Sequence, residues 1–68
     1  MSVARVTEIS ASSKTSFERA VQKGIERANE TLKNVRGAWI ESQKVSCDKE
    51  GNIKSYRVIM RVTFVLKD

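Results

Sequence analysis

The clearest pattern in the chain is an alternation of apolar and other side chains from residue 53 onward. One face of the predicted strand carries Tyr56, Val58, Met60, Val62, Phe64 and Leu66; the other carries Ser55, Arg57, Ile59, Arg61, Thr63, Val65 and Lys67. This alternation predicts a strand from Ile53 to Lys67 with one buried and one polar face. At about 3.3 Å per residue the strand would extend about 45–50 Å, so we expect the sheet to curl around a helix or to pair its ends with another copy.

A second pattern, with small or apolar residues every three or four positions, predicts an amphipathic helix of about five turns. The stripe consists of Phe17, Ala20, Val21, Gly24, Ile25, Ala28, Leu32 and Val35. Thr15 and Glu18 fit a capping box at its start, and Asn34 and Gly37 mark its end. Gly24 costs about 1 kcal/mol relative to alanine inside a helix, so its place on the stripe predicts a close approach to a sheet.

Two further strands are predicted, one on each side of the helix in sequence. Residues 2–9 are rich in β-branched side chains and predict the first strand, whereas the small polar residues 10–13 predict a loop. Residues 38–47 predict the second strand. Its two mixed faces are Gly37, Trp39, Glu41, Gln43, Val45 and Cys47, and Ala38, Ile40, Ser42, Lys44 and Ser46. Residues 48–52 predict a turn in which Gly51 supplies a positive φ.

The connections between these elements predict the topology. The short turn implies an antiparallel hairpin, and the intervening helix suits a parallel relation of the first two strands, with the third between them. The predicted fold class is α+β: a β-α-β-β subunit, one domain over residues 1–68, with a three-stranded antiparallel sheet of order 1-3-2 wrapped around one helix. The other sheet face, with Trp39, Ile59 and Val65 among charged residues, then needs water or a partner to cover it.

The length of the chain bounds what can stabilise it. A domain of 68 residues buries only about 60% of its unfolded surface, and small domains commonly add disulfides, a metal or oligomerisation. Cys47 is the only cysteine and histidine is absent, so neither an internal disulfide nor an ordinary zinc site can form. We therefore predict that the chain associates with copies of itself.

Charge and hydropathy narrow the class of partner. The net charge is +5, but the basic residues are scattered and Glu18, Glu26 and Glu30 interrupt them on the helix. An ordinary solvated surface is therefore favoured over a nucleic-acid partner. No apolar run of about 18 residues predicts a membrane span. The first five residues lack an apolar signal core and the lone thiol fits a reducing compartment, so we predict a cytoplasmic protein.

The chain offers no catalytic constellation, and we predict that it is not an enzyme. Without histidine, a general base at neutral pH would have to be a shifted carboxylate, lysine or tyrosine, and Cys47 has no evident base partner. The three glycines are dispersed, so there is no phosphate-binding loop. Asp48 and Glu50 offer a weak hard-cation site at best, and a solvated turn is the favoured interpretation.

Two features remain as candidates for ligand binding. Trp39, the only tryptophan, suits an interface anchor or a stacking plate for a planar ligand. Arg57 and Arg61 share the outward face of the third strand, where they suit a phosphate, a carboxylate or surface ion pairs.

Several segments stand in a characteristic order and spacing along the chain. They are VARVTEI (3–9) before a serine-rich stretch, TSFERA (15–20), ANETLKNVR (28–36), YRV (56–58) and VTF (62–64), together with Gln43 and the hairpin around Gly51. In this order and spacing the chain resembles the dodecin family of small flavin-binding proteins. Each segment alone is a weak signal, but the resemblance covers nearly the whole chain.

The resemblance implies both an assembly and a function. It implies a hollow homododecamer of cubic 23 symmetry, built from β-α-β-β subunits whose sheets wrap their helices. It also implies storage or sequestration of flavin (riboflavin or FMN) in pairs near two-fold axes. Some relatives bind coenzyme A and some bind calcium.

The family's flavin contacts place the predicted site. In flavin-binding dodecins a tryptophan at the start of the second strand stacks on the isoalloxazine ring, and a glutamine in the third strand bonds its pyrimidine edge. The matching positions here are Gly37 and Arg57, with Trp39 two residues on. The predicted ligand-binding residues are Gly37, Trp39, Gln43 and Arg57, and no catalytic or metal-binding residue is predicted.

Three hypotheses follow from these observations. The leading hypothesis is a flavin-binding homo-oligomer. The alternatives are a structural assembly without flavin, which binds coenzyme A or a cation, and a basic nucleic-acid-binding oligomer.

Overall fold

The computed structural model describes residues 3–66. Its elements are β1 (Val3–Ser13), α1 (Phe17–Leu32), β2 (Val35–Cys47) and β3 (Ile53–Leu66). The strands form one sheet of order β1-β3-β2, in which β3 is antiparallel to both neighbours. The predicted fold class and strand order are confirmed.

The helix packs its predicted stripe against one face of the sheet. The buried apolar core consists of Ala20, Ala28, Val58, Met60, Val62 and Phe64. Gly24 is also buried, and a Cβ built on it would collide with the Met60 side chain and lie 3.0 Å from the Ala11 Cβ. The close approach of helix and sheet that Gly24 predicted is therefore confirmed.

The helix begins one residue later than the capping-box prediction. Ser16 is the N-cap: its backbone is extended, and its hydroxyl accepts a hydrogen bond from the Arg19 amide at 3.0 Å. The Thr15 amide instead donates to the Ser13 hydroxyl at 2.9 Å. The predicted pairing of Thr15 with Glu18 is therefore wrong. The cap is Ser16, and the amide that donates to the cap hydroxyl belongs to Arg19, three residues further on.

The helix also ends earlier than its apolar stripe predicted. It stops at Leu32 because Lys33 and Asn34 both adopt positive φ, 60° and 50°. Val35, predicted on the helical stripe, opens β2, and Gly37 lies inside that strand rather than at the helix end. The left-handed pair reverses the chain at once, so β2 begins three residues before the predicted position 38.

The first strand continues through the serines that were predicted to form a loop. Ser10 to Ser13 pair in register with Ile59 to Tyr56 of β3. The long central strand supplies backbone partners for these residues, and that pairing outweighs their weak intrinsic strand preference. The loop prediction at 10–13 is wrong, and the predicted strand ends at Ser2 and Lys67 lie outside the described residues.

The β2–β3 turn forms as predicted. Gly51 has a φ of 85°, and the Asp48 carboxylate accepts hydrogen bonds from the Glu50 and Asn52 amides at 2.9 and 3.0 Å. These bonds lower the pKa of the exposed Asp48 carboxyl, the Asn52 amide contributing most. The contacts of Asp48 support the interpretation of this segment as a hydrogen-bonded turn.

The sheet is longer than the helix that covers it. The subunit measures 53 × 19 × 13 Å along its principal axes. The 16 residues of α1 span about 24 Å, whereas the 14 residues of β3 span about 46 Å. The sheet therefore extends past the helix, and α1 packs against only one of its two faces.

Candidate functional site

The candidate site lies on the sheet face opposite α1, which we call the outer face. Directly opposed residues of neighbouring strands point to the same side of a sheet, so the strand register defines this face. Its central rows, read from β1 through β3 to β2, are Glu8–Arg61–Trp39, Ser10–Ile59–Ser42 and Ser12–Arg57–Lys44. An aromatic side chain and several charges thus share one surface.

A β-bulge in β2 decides which side chains reach the outer face. The register shifts between Ile40 and Ser42, so that Glu41 is an extra residue without a direct partner on β3. An extra residue reverses the side-chain alternation that follows it. Beyond the bulge it is Lys44, and not its neighbour, that joins Trp39 on the outer face.

The predicted site residues therefore divide between the two faces. Gly37, Trp39 and Arg57 lie on the outer face, opposite Thr63, Arg61 and Lys44 respectively. Gln43 lies opposite Val58, a buried core residue, and so belongs to the helix side. The prediction that Gln43 shares a strand face with Trp39 is therefore wrong. It assumed strict alternation along β2, which the bulge interrupts. For the same reason the sequence did not predict that Lys44 lies on the face of Trp39.

Trp39 is the most exposed of the large hydrophobic side chains described. Its exposed fraction is 69%, whereas the other exposed large apolar residues described reach at most 52%. Two positions earlier on the same face, a Cβ at Gly37 would meet no atom within 4 Å. The indole ring thus lies open, with free space beside it.

A charged cluster borders the tryptophan. The Arg61 side chain, opposite Trp39, donates from its Nε to the Glu41 carboxylate at 2.9 Å. Glu8 faces the same arginine from β1. The pKa of the Glu8 carboxyl is raised above 4.5, first by a hydrogen bond to Glu41 and then by repulsion from the Glu41 charge. The positive charge of Arg61 opposes this shift.

The described residues were compared with the requirements of a metal site, a membrane span and a reactive thiol. Among residues 3–66 no group of three or more His, Cys, Asp and Glu side chains is arranged to hold a metal ion. The single described helix is too short and too polar to cross a bilayer. Cys47 is an exposed free thiol at the end of β2.

Comparison with known proteins places this geometry in a family. The dodecin family model matches residues 3–67. Calcium dodecin from Mycobacterium tuberculosis is 33% identical over 67 residues, covering 98% of this chain and 93% of that protein. Its crystal structure, described as a calcium-chelating antigen with a calcium-binding site, superposes with a TM-score of 0.82.

Two further solved structures agree over the full length of the fold. Dodecin from Streptomyces davaonensis is 30% identical with a TM-score of 0.93, covering 98% of this chain and 97% of that one. An arginine-to-alanine variant of Thermus thermophilus dodecin is 25% identical with a TM-score of 0.91 and complete coverage of both chains. With the family model matched over nearly every residue, the chain belongs to the dodecin family.

Proposed function

We propose that this chain forms a non-enzymatic homo-oligomer whose outer face holds a small planar ligand, with flavin (riboflavin or FMN) as the first candidate. Dodecin homologues are oligomeric and bind small ligands. The observation in this chain that carries the proposal is the exposure of Trp39, 69% open on a sheet face to which α1 does not pack.

The chemistry of the face supports a flat aromatic ligand. An aromatic ring gains both buried area and stacking energy when a second ring covers it, about 0.5–1.5 kcal/mol beyond the area term. Gly37 leaves room beside the indole for the edge of such a ring. Because a 68-residue subunit has little core, assembly through this face would both stabilise the fold and enclose the ligand. A dodecamer is the assembly we propose.

Fluorescence titration tests the proposal directly. Riboflavin and FMN emission is measured against wild type, Trp39→Ala and the control Ile40→Ala, which removes an exposed apolar side chain from the other face of the same strand. We expect saturable quenching by wild type and by Ile40→Ala, and a dissociation constant at least about tenfold higher for Trp39→Ala. Quenching that survives Trp39→Ala would place the ring elsewhere; no quenching by wild type would exclude flavin.

A second candidate is a structural assembly that binds a cation. It is favoured by the relative named calcium dodecin and by the two neighbouring carboxylates, Glu8 and Glu41, which share one arginine. Calorimetric titration with Ca²⁺ and Mg²⁺ of wild type and Glu8→Gln tests it, with heat expected only from wild type. Coenzyme A and a short oligonucleotide, titrated in the same way, test the remaining alternatives.

A further inference from the structure

A groove lies between α1 and β1, on the helix side of the sheet and along its β1 edge. Its volume is about 640 Å³. The part of its lining that is small or apolar consists of Ile9, Ala11, Gly24, Ala28 and Leu32. Because the sheet separates this groove from the outer face, whatever it binds is independent of the candidate site described above.

The apolar lining is only partly covered within one subunit. Ile9, Ala11 and Leu32 pack against the core yet stay half-buried. Gly24 and Ala28 are small, so this side of the helix carries little bulk that could close the groove. From Gly24 to Leu32 the helix rises about 12 Å, which sets the length of the apolar stretch. Apolar surface left open in this way favours an apolar occupant.

Basic side chains surround one end of the groove. There it adjoins a second cavity, and Ser12, Lys23 and Glu26 line both. Lys14 and Arg19 also line the second cavity, so three cations meet at this position, which we call the basic end. With the carboxylates of residues 3–66 none of the three forms an ion pair shorter than 4 Å. The basic end therefore has positive charge available for an anion.

Two carboxylates, those of Glu26 and Glu30, also border the groove. The Glu26 carboxylate accepts a hydrogen bond of 3.3 Å from the Gln22 side-chain amide on the exposed helix surface. Glu30 lies one turn further towards the end of the helix, away from the basic end, and Arg27 offsets its charge along the same wall. Three cations against one carboxylate leave the basic end with a positive balance.

We propose that this groove binds a single-chain amphiphile with an anionic head group, of the class of medium-chain fatty acids. The alkyl chain covers the half-buried Ile9 and Leu32, and the carboxylate lies among the cations of the basic end. Binding removes apolar area from water and gives the cations a charged hydrogen-bond partner. A purely polar anion would leave the apolar lining uncovered, and a neutral hydrocarbon would leave the cations unpaired.

Calorimetric titration of the assembled wild-type protein with hexanoate, octanoate, decanoate and dodecanoate tests the alkyl part. Each CH₂ that enters the groove should raise the affinity by up to about fourfold, so decanoate should bind roughly tenfold more tightly than octanoate. The gain should stop once the chain is longer than the apolar stretch of about 12 Å. An affinity that does not depend on chain length would overturn the proposal.

Variants test each part of the site with decanoate as the probe. Lys23→Gln at the basic end should weaken binding at least about fivefold, whereas Lys49→Gln, the charge-matched control in the exposed hairpin turn, should bind like wild type. Thr31→Trp places a large ring at the wall of the groove and should block the alkyl chain. Its control is Gln22→Trp, at an exposed position of α1 outside the groove lining. Circular dichroism and sedimentation confirm that each variant folds and assembles.

The head group is tested with decanol and decyltrimethylammonium, which should bind at least about tenfold more weakly than decanoate. Equal affinity for the three compounds would overturn the anionic head group. Absence of decanoate binding by the assembled wild type would overturn the whole proposal, as expected if a second copy of the chain fills the groove. Tighter binding to phosphatidylglycerol vesicles than to decanoate, with the same dependence on Lys23, would also overturn it, since the partner would then be a membrane surface.

Discussion

Trp39 and Lys44 lie on the same face of the sheet although five positions separate them along β2. In a regular strand an odd separation places two side chains on opposite faces. The bulge at Glu41 supplies the extra residue that restores them to one face, and the same residue forms the ion pair with Arg61. The inserted Glu41 therefore brings Trp39 and Lys44 onto one face, and its carboxylate pairs with Arg61, the residue opposite Trp39.

Ile59 lies at the centre of the outer face, between Ser10 and Ser42, and is half-buried within one subunit. If copies cover this face, Ile59→Asp should weaken assembly, because burying an unpaired carboxylate costs several kcal/mol. Sedimentation velocity at micromolar concentration should show a smaller species for Ile59→Asp than for wild type. Lys49→Asp, which places the same carboxylate in the exposed hairpin turn, should assemble normally.

Two results would count against that assignment. An unchanged assembly in Ile59→Asp would remove Ile59 from the interface. A folded, monomeric wild type at micromolar concentration would contradict obligate assembly altogether.

The long periodic elements were predictable from the sequence because many residues follow the same pattern in each of them. The alternation from Tyr56 to Leu66 and the stripe from Phe17 to Leu32 each repeat over several turns or pleats, so local exceptions do not change the assignment. The topology then followed from connection lengths, and the turn from Gly51.

The features that were missed depend on single residues or on distant partners. Ser10 to Ser13 form a strand only because β3 is long enough to pair with them. Ser16 and Thr15 are both good caps by composition, and only the backbone decides between them. The bulge at Glu41 has no composition signal, so the face of Gln43 and Lys44 could not be read from alternation.

Core stability should follow burial rather than the helical stripe alone. Met60 is fully buried, so Met60→Ala should lower the free energy of unfolding by about 2–5 kcal/mol. Leu32 is only half-buried, and Leu32→Ala should cost about 1–2 kcal/mol, since less apolar surface returns to water. Urea denaturation at one fixed protein concentration gives these differences.

Glu26→Ala provides the matched control on the exposed side of α1. Its side chain makes a hydrogen bond of 3.3 Å with Gln22, also exposed, so its loss should change stability by no more than about 0.5 kcal/mol. A loss in Glu26→Ala as large as in Leu32→Ala would mean that the buried face of the helix is misassigned.

The carboxyl of Glu8 gives the fold a defined dependence on pH. Because its pKa is raised above 4.5, the folded protein holds this proton more tightly than the unfolded chain. The resulting stabilisation is complete below pH 4.5 and is lost as the pH rises through the folded value. Glu8→Gln removes this loss, so its melting temperature relative to wild type should increase between pH 4 and pH 7.

Asp48 provides a control of opposite sign. Its pKa is lowered from 3.8, so its stabilisation is present above that pH and is lost on acidification. Asp48→Asn should therefore be less stable than wild type at pH 7, and the difference should shrink towards pH 3. A Glu8→Gln variant with the same pH profile as wild type would show that Glu8 and Glu41 do not share a proton in the assembled protein.

The last prediction concerns conversion of the outer face to the family's usual flavin contacts. Gly37 has space for a larger side chain, since a Cβ there meets nothing within 4 Å. In Gly37→Trp with Arg57→Gln, a second indole adjoins Trp39, and an amide that both donates and accepts replaces a guanidinium that only donates. Riboflavin should bind the double variant at least about tenfold more tightly than wild type.

Arg57 is exposed on the same face, and a guanidinium suits a phosphate better than an amide does, so the double variant should bind FMN and riboflavin with similar affinity. Gly37→Trp alone should bind both flavins more tightly than wild type does. Fluorescence quenching of the two flavins by wild type, the single variant and the double variant measures both effects at once. If Gly37→Trp weakens riboflavin binding, the ring does not lie beside Trp39, and the stacking arrangement proposed for this face is wrong.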